Sequence, residues 1–250
     1  MLRADSQVLQ RRQHSLSVGL ANTESDIIEA QMLRYRVFAE EMGARLPTRT
    51  PGVDHDHFDP FCKHLVVRDE DAGKIVGTYR ILTPEAARRV GCYYSESEFD
   101  LTRFQHLRNN LVEIGRSCID ADYRSGAVIT LLWSGLARFM SEHNYEYLMG
   151  CASITMGDGG HNAANIYNAL REKHMADLEY HVFPRNPLPV EHLATEAPAE
   201  LPALLKGYIR AGTKICGAPA WDPDFNTADL LLLMPMSQLD RRYARHFLDR

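Results

Sequence analysis

The stretch LVEIGRSCID, residues 111–120, constrains the fold of this chain more than any other. Leu111, Val112, Ile114 and Ile119 mark a buried strand, yet Glu113 and Arg116 put opposite charges inside the apolar run. Burying such charges is costly unless they are paired, so the strand carries either an internal ion pair or a reaction centre. Residues three apart on a regular strand face opposite sides. Glu113 and Arg116 therefore share a side only across a bulge, for which Gly115 is suited. Just downstream, Arg124, Ser125, Gly126 and Ala127 lead into the apolar-periodic run Val128, Ile129, Leu132, Trp133, Leu136 and Met140. A basic, small-residue turn at a helix start offers backbone N–H groups to an anion such as a phosphate arm, although the same pattern also reads as an ordinary helix start.

At 250 residues, 45% hydrophobic and 24% charged, the chain can bury a sizeable core as one large domain or two small ones. A net charge of -5 gives no reason to expect general nucleic-acid binding. Cys62, Cys92, Cys118, Cys151 and Cys216 are odd in number and never spaced as CxxC, which argues against a disulfide framework or a zinc site and for a reducing cytoplasm. The N-terminus lacks an apolar signal segment, and the longest apolar run, residues 230–236, is too short to span a bilayer. A cytoplasmic or peripheral location follows as the expectation.

Residues 1–22 read as a mobile polar arm, at most an edge strand around residues 15–20, and residues 23–250 as a single domain. Thr23 and Asp26 resemble a capping box opening a helix whose periodic positions run to Met42, with Arg34 and Phe38 on one side of it. VDHDHFD gathers Asp54, His55, Asp56, His57 and Asp59. No partner pattern completes a metal site there, so the segment reads as an acidic wall, paired with arginines and able to receive an ammonium group. Residues 64–68 and 74–82 form a hairpin pattern carrying Arg80, which is either part of that charge system or a strand-end arginine reaching solvent. A strand over residues 145–151 holds Cys151, read as strand core rather than as a nucleophile, and a helix through Ile166, Tyr167, Leu170 and Met175 follows. Lys206, Arg210 and Lys214, at steps of four, build a basic helix face; residues 229–234 are a last strand and RRYARHF a basic helical tail. Helices and strands alternate as in an α/β layered domain with a mixed sheet.

The segments LRYRVFAEEMGA, DHDHFD, HLVVRD, GKIVGTYRIL, VEIGRSCI, YRSGAVITLLWSGLA, YLMGCASI and KGYIRAGTKICGAPAWDPDFNTADLLLL resemble the GNAT superfamily. The likeness is to its long-chain N-acyltransferases, above all the bacterial ornithine N-acyltransferases of ornithine-lipid synthesis, from about residue 33 to residue 247. Arg34, Phe38, Asp54, Asp56, Asp59, Arg80, Glu113 and Arg116 also fall on characteristic positions of the acyl-homoserine lactone synthases. Those enzymes usually carry Trp where this chain has Ala44 and Glu where it has Asp54, so signal-lactone synthesis is the weaker expectation. The resemblance implies a GNAT-like, mostly antiparallel sheet flanked by helices, with a C-terminal extension. It also implies transfer of a fatty acyl group, commonly 3-hydroxylated, from acyl carrier protein to the α-amino group of ornithine, without a cofactor beyond the donor's phosphopantetheine.

In that scheme the amine attacks the thioester directly. Glu113 serves as base or water-positioning group, Arg116 and Arg80 pair with the acidic cluster or orient a substrate carboxylate, and Tyr167 protonates the leaving thiolate. Arg34, Phe38, Asp54, Asp56, Asp59 and Arg80 shape the acceptor site. Ser117, Cys118, Arg124, Ser125, Gly126 and Ala127 hold the donor arm, and Lys206, Arg210 and Lys214 dock the acidic carrier protein. Alternatives are a synthase acting on glycine or another amino acid, a lactone synthase, and a non-enzymatic hemolysin-like protein. The location implied is the cytoplasm, with peripheral attachment to the inner membrane.

Overall fold

Thr23 starts the first helix as its spacing to Asp26 predicts. Its hydroxyl accepts from the Asp26 N–H at 3.1 Å, and the Asp26 carboxylate accepts from the Thr23 N–H at 3.3 Å. The computed structural model describes residues 15–239; the first fourteen residues of the expected arm and the basic tail RRYARHF lie outside them. In chain order the elements are β1 (Leu16–Leu20), α1 (Glu24–Tyr35), β2 (Lys63–Asp69), β3 (Lys74–Leu82), α2 (Pro84–Val90), β4 (Phe99–Asp100), β5 (Leu111–Ile119) and α3 (Ala127–Glu142). They continue with β6 (Tyr147–Thr155), α4 (His161–His174), β7 (Phe183–Pro184), α5 (Val190–Leu193), α6 (Ala203–Ala211), β8 (Lys214–Ile215), β9 (Ala220–Asp222) and β10 (Thr227–Pro235).

The main sheet runs β1-β2-β3-β5-β6-β10-β8, with β9 also on β10, while β4 and β7 pair separately. Its pairs are antiparallel except β5 with β6. This is the expected mixed, mostly antiparallel sheet flanked by helices. Residues 16–20 belong to its edge, so the body begins ahead of Thr23.

Alternation along the strands sends successive side chains to opposite layers. Leu65 and Val67 pack with Val128, Leu132 and Leu136 of α3, while Val66 packs with Ala30 and Leu33 of α1. In β10, Leu230 and Leu232 join α4 and α6, whereas Leu231 and Leu233 join the aromatic layer of Tyr93, Phe99 and Phe104. Fully burying one such side chain stabilises the fold by about 1.5–3 kcal/mol.

Two departures shape the centre. The long first helix predicted to Gly43 is α-helical only to Tyr35; residues 36–41 widen into a π-turn that buries Val37 and Phe38. The β5 bulge exists, but Gly115 is not the residue that bends. Arg116 itself takes φ 51°, and pairing with β3 skips between Thr78 and Arg80.

Glu113 pairs with Met149 at the last rung between β5 and β6, and the two strands part beyond it. Gly150 sits at the fork, where a Cβ would stand 2.5 Å from the Ile114 carbonyl oxygen. Gly150→Ala is expected to lower stability by about 1–3 kcal/mol through this backbone clash. Urea denaturation measures it, and an unchanged midpoint would show that the fork has slack.

Candidate active site in the fork of the sheet

Where β5 and β6 diverge, neither strand has a partner on its inner edge, so backbone groups there are left to face a cleft. The cavity, about 280 Å³, is lined by residues of β5 from Glu113 to Ser117, of β6 from Leu148 to Ser153, and by Leu204, Leu205 and Tyr208 of α6. Phe38, Arg80, Tyr94, Ser95, Asp222 and Asp229 also reach it.

Behind one wall stands a knot of three arginines and three aspartates. Arg34, fully buried, binds Asp54 at 2.7 Å and Asp59 at 2.8 Å, and donates to the Asp54 carbonyl at 2.6 Å. Arg80 binds Asp56 at 2.7 Å and Asp59 at 3.1 Å. Arg116 lies 3.4 Å from Asp54 and 3.5 Å from Asp56, its guanidinium between the rings of Tyr94 and Phe225. Burial alone would raise Asp59, but Arg34 and then Arg80 hold it far below the usual carboxylate range. His64, beside Asp59, is pushed down to about 4 by burial and then by Arg34, so it stays neutral.

This geometry corrects several sequence expectations. Arg80 is part of the charge system and does not reach solvent, and Arg34 is buried with it, because loop residues 54–59 fold over them with matched carboxylates. Asp54, Asp56 and Asp59 pair with arginines as expected, but that pairing occupies them, so they do not form an open wall for an ammonium. Asp54 is fully buried. Breaking one partner of a buried pair costs about 3–5 kcal/mol, so the knot is a framework first. Of the knot, only Arg80 and Arg116 reach the cleft, and Arg116 Nε keeps just the 3.4 Å ionic contact with Asp54.

Glu113 lies in the cavity wall, as its position in an apolar strand suggested. It accepts from the N–H groups of Tyr94 at 2.7 Å and Ser95 at 2.8 Å, and from the Ser95 hydroxyl at 2.5 Å. Burial raises its pKa, against the lowering effect of those Ser95 and Tyr94 bonds. It does not face Arg116 as an ion-pair partner; each has its own neighbours.

Among the residues expected at the donor, Ser117 lines the cleft, whereas Cys118 is buried against α1. The turn at Arg124, Ser125, Gly126 and Ala127 is exposed. Gly126 caps α3 without a side-chain bond, and Arg124 pairs with Glu41 at 2.6 Å. Tyr167 does not line the cavity; it packs with the α4 layer, and the tyrosines that do reach the cleft are Tyr79, Tyr94 and Tyr208. The expected basic face is also cut short. Lys206 and Arg210 are exposed on α6, but Gly212 (φ 105°) ends that helix and Lys214 belongs to β8.

Sequence reasoning passed over Ser95, Glu98, Tyr208 and Asp229. Asp229 carried the same signal as Glu113, a charge at an apolar strand, while Glu98 lay in a polar stretch with no period to single it out. Burial, followed by the charge of Asp229, pushes Glu98 up to about 9 from an ordinary 4.5, with Asp222 adding to the effect. A carboxyl raised in the folded state lends stability that is fully present below about 4.5 and is lost progressively as pH climbs through about 9. Thermal melts above about pH 6.5, where the depressed His64 no longer adds an opposing slope, should therefore show Tm falling with pH, and Glu98→Gln should reduce the slope. An equal slope in the variant would assign the dependence to other groups.

A family model described as an acetyltransferase (GNAT) domain matches residues 33–134. An L-ornithine N(alpha)-acyltransferase of Brucella abortus is 34% identical, over 93% of this chain and 89% of that protein. One of Agrobacterium fabrum is 35% identical, over 97% and 88%. The structure of the AHL synthase LasI superposes with a TM-score of 0.55 at 14% identity, covering 94% of this chain and 96% of that one, a likeness of fold.

Proposed function

Since the chain belongs to the L-ornithine N(alpha)-acyltransferase family, we propose that this acyltransferase moves a fatty acyl group, commonly 3-hydroxylated, from acyl carrier protein to the α-amino group of L-ornithine, giving lyso-ornithine lipid. The observation that carries the reading is the forked cleft with Glu113 and Ser95 at its apex. Unpaired strand edges there can hold the pantetheine arm by its amides and aim N–H groups at the oxyanion that develops on the thioester. The exposed N-terminus of α3 suits the arm's phosphate.

The acceptor arrives as an ammonium and must lose a proton before it attacks. Glu113, raised by burial and bonded to the Ser95 hydroxyl, takes that proton with Ser95 as the intermediary. Arg116, a lining residue of the cavity, suits the acceptor's α-carboxylate. Attack forms the amide nitrogen–carbon bond, and collapse of the tetrahedral intermediate breaks the carbon–sulfur bond. The leaving thiolate draws its proton from a tyrosine that reaches the cleft, Tyr94 or Tyr208, in place of Tyr167, and the extra proton on the attacking nitrogen restores that tyrosine. Lys206 and Arg210 remain the surface for an acidic carrier protein, at the cytoplasmic face of the inner membrane, where an amphiphilic product partitions. No helix among the described residues is long and apolar enough to cross a membrane.

Mass spectrometry of products from a panel of amino acids, offered with 3-hydroxyacyl carrier protein and separately with the coenzyme A thioester, tests acceptor and donor together. N-acyl-ornithine from the carrier-protein donor is expected to dominate; preference for glycine or another amine overturns the acceptor, and equal use of coenzyme A overturns the donor. Glu113→Gln is expected to lower turnover about 100-fold or more. It should also cost about 1–3 kcal/mol of stability, because an amide leaves one donor from residues 94–95 unpaired. Near-normal turnover would remove Glu113 from the proton path.

A further inference from the structure

The knot of Arg34, Arg80 and Arg116 with Asp54, Asp56 and Asp59 balances three charges against three, which leaves no carboxylate there for a cationic ligand. Across the cleft the balance differs. Glu98, from the turn that holds Ser95, and Asp229, from β10, bring ligand oxygens within 4.8 Å of each other and of the Cys151 thiol. Both Glu98 oxygens and Oδ1 of Asp229 are buried without a hydrogen-bond partner among the described residues, and Asp229, 4% exposed, lines the cavity. Asp222 adds a further carboxylate to the same wall. Burial and the nearby negative charge raise Glu98, and burial first raises Asp229 too, as expected of acids buried together without a counter-ion.

Resting on the acceptor reading above, we infer that Glu98 and Asp229 form the subsite that grips the side-chain ammonium of the acceptor amino acid. The position fits that role. Ser95 Oγ donates to Glu113 and lies 3.4 Å from Cys151 Sγ, which in turn adjoins both carboxylates. One serine and one cysteine thus separate the proton acceptor from the acidic pair, a span suited to a short alkyl side chain with an amine at each end. Placing a cation between the two carboxylates satisfies their spare acceptor atoms, whereas a neutral side chain leaves them unpaired, so the pair selects against the wrong acceptor as much as for the right one.

The test compares kcat/KM for ornithine with that for norvaline, which keeps the carbon chain and ends in a methyl group, in the unaltered enzyme and in Glu98→Gln and Asp229→Asn. The unaltered enzyme should prefer ornithine about 100-fold or more. Each variant should lower that ratio about 10- to 100-fold, mainly through the KM for ornithine. Both variants should melt at or above the unaltered enzyme at neutral pH, since each removes one of two carboxyls whose shared burial disfavours ionisation. A preference kept in both variants overturns the subsite while leaving the ornithine reading in place. A variant melting well below the unaltered enzyme overturns it too, by making the pair structural, as does a stoichiometric divalent metal retained on purification and lost in the variants. An unaltered enzyme that acylates another amine but not ornithine sinks the acceptor reading itself.

Discussion

Arg34 is the interaction on which the rest of the site depends. It projects from α1 into the fold at 0% exposure and is satisfied there by Asp54 and Asp59, on a loop that Gln31 of the same helix also holds, through its carbonyl to the Asp54 N–H and its side-chain amide to Asp59. Asp59 then reaches Arg80 on β3, and Asp56 and Asp54 reach Arg116 on β5. Four separate segments are thus pinned by one charge-balanced network, and no member can be removed without leaving a buried partner exposed to a low-dielectric surrounding. The wall of the cleft is rigid for that reason.

The same network explains why Arg116 tolerates a left-handed backbone. Its guanidinium is held between two aromatic rings and two carboxylates, and this surround stabilises a conformation that an isolated arginine rarely adopts. The bend turns the strand's edge toward the cleft just after Glu113 has made its last pairing with β6. Arginine strain, glycine at the fork and strand divergence therefore act together: one feature opens the sheet, and the others keep it open at a defined width.

Buried carboxylates in and behind the cavity wall stand in three electrostatic conditions. Those of the knot are neutralised by arginine, Glu113 is held by two backbone N–H groups and a hydroxyl, and Glu98 and Asp229, with no arginine paired to them among the described residues, keep buried oxygens without a partner. The contrast separates framework, proton handling and ligand recognition along one cleft. Two carboxyls buried side by side do not favour stability, and their place next to the reaction centre fits binding.

Local pattern determined much of this protein in advance. Charges inside the apolar run of residues 111–119 identified the central strand, Thr23 and Asp26 set a helix start, and two β-rich runs about an acidic turn became β2 and β3, because each of these depends on neighbours along the chain. Partnership depended on contacts far apart in sequence. The tertiary structure decided which arginines hold Asp54, Asp56 and Asp59 and that this leaves no open acidic wall, that Tyr208 and not Tyr167 faces the cleft, and that Lys214 leaves the basic face when Gly212 ends α6. It also brought Glu98 to Asp229, 131 positions later. The physical reason is that a charge in an apolar run announces that it needs a partner, but the identity of that partner is set by which segments pack together, and packing is a property of the whole chain.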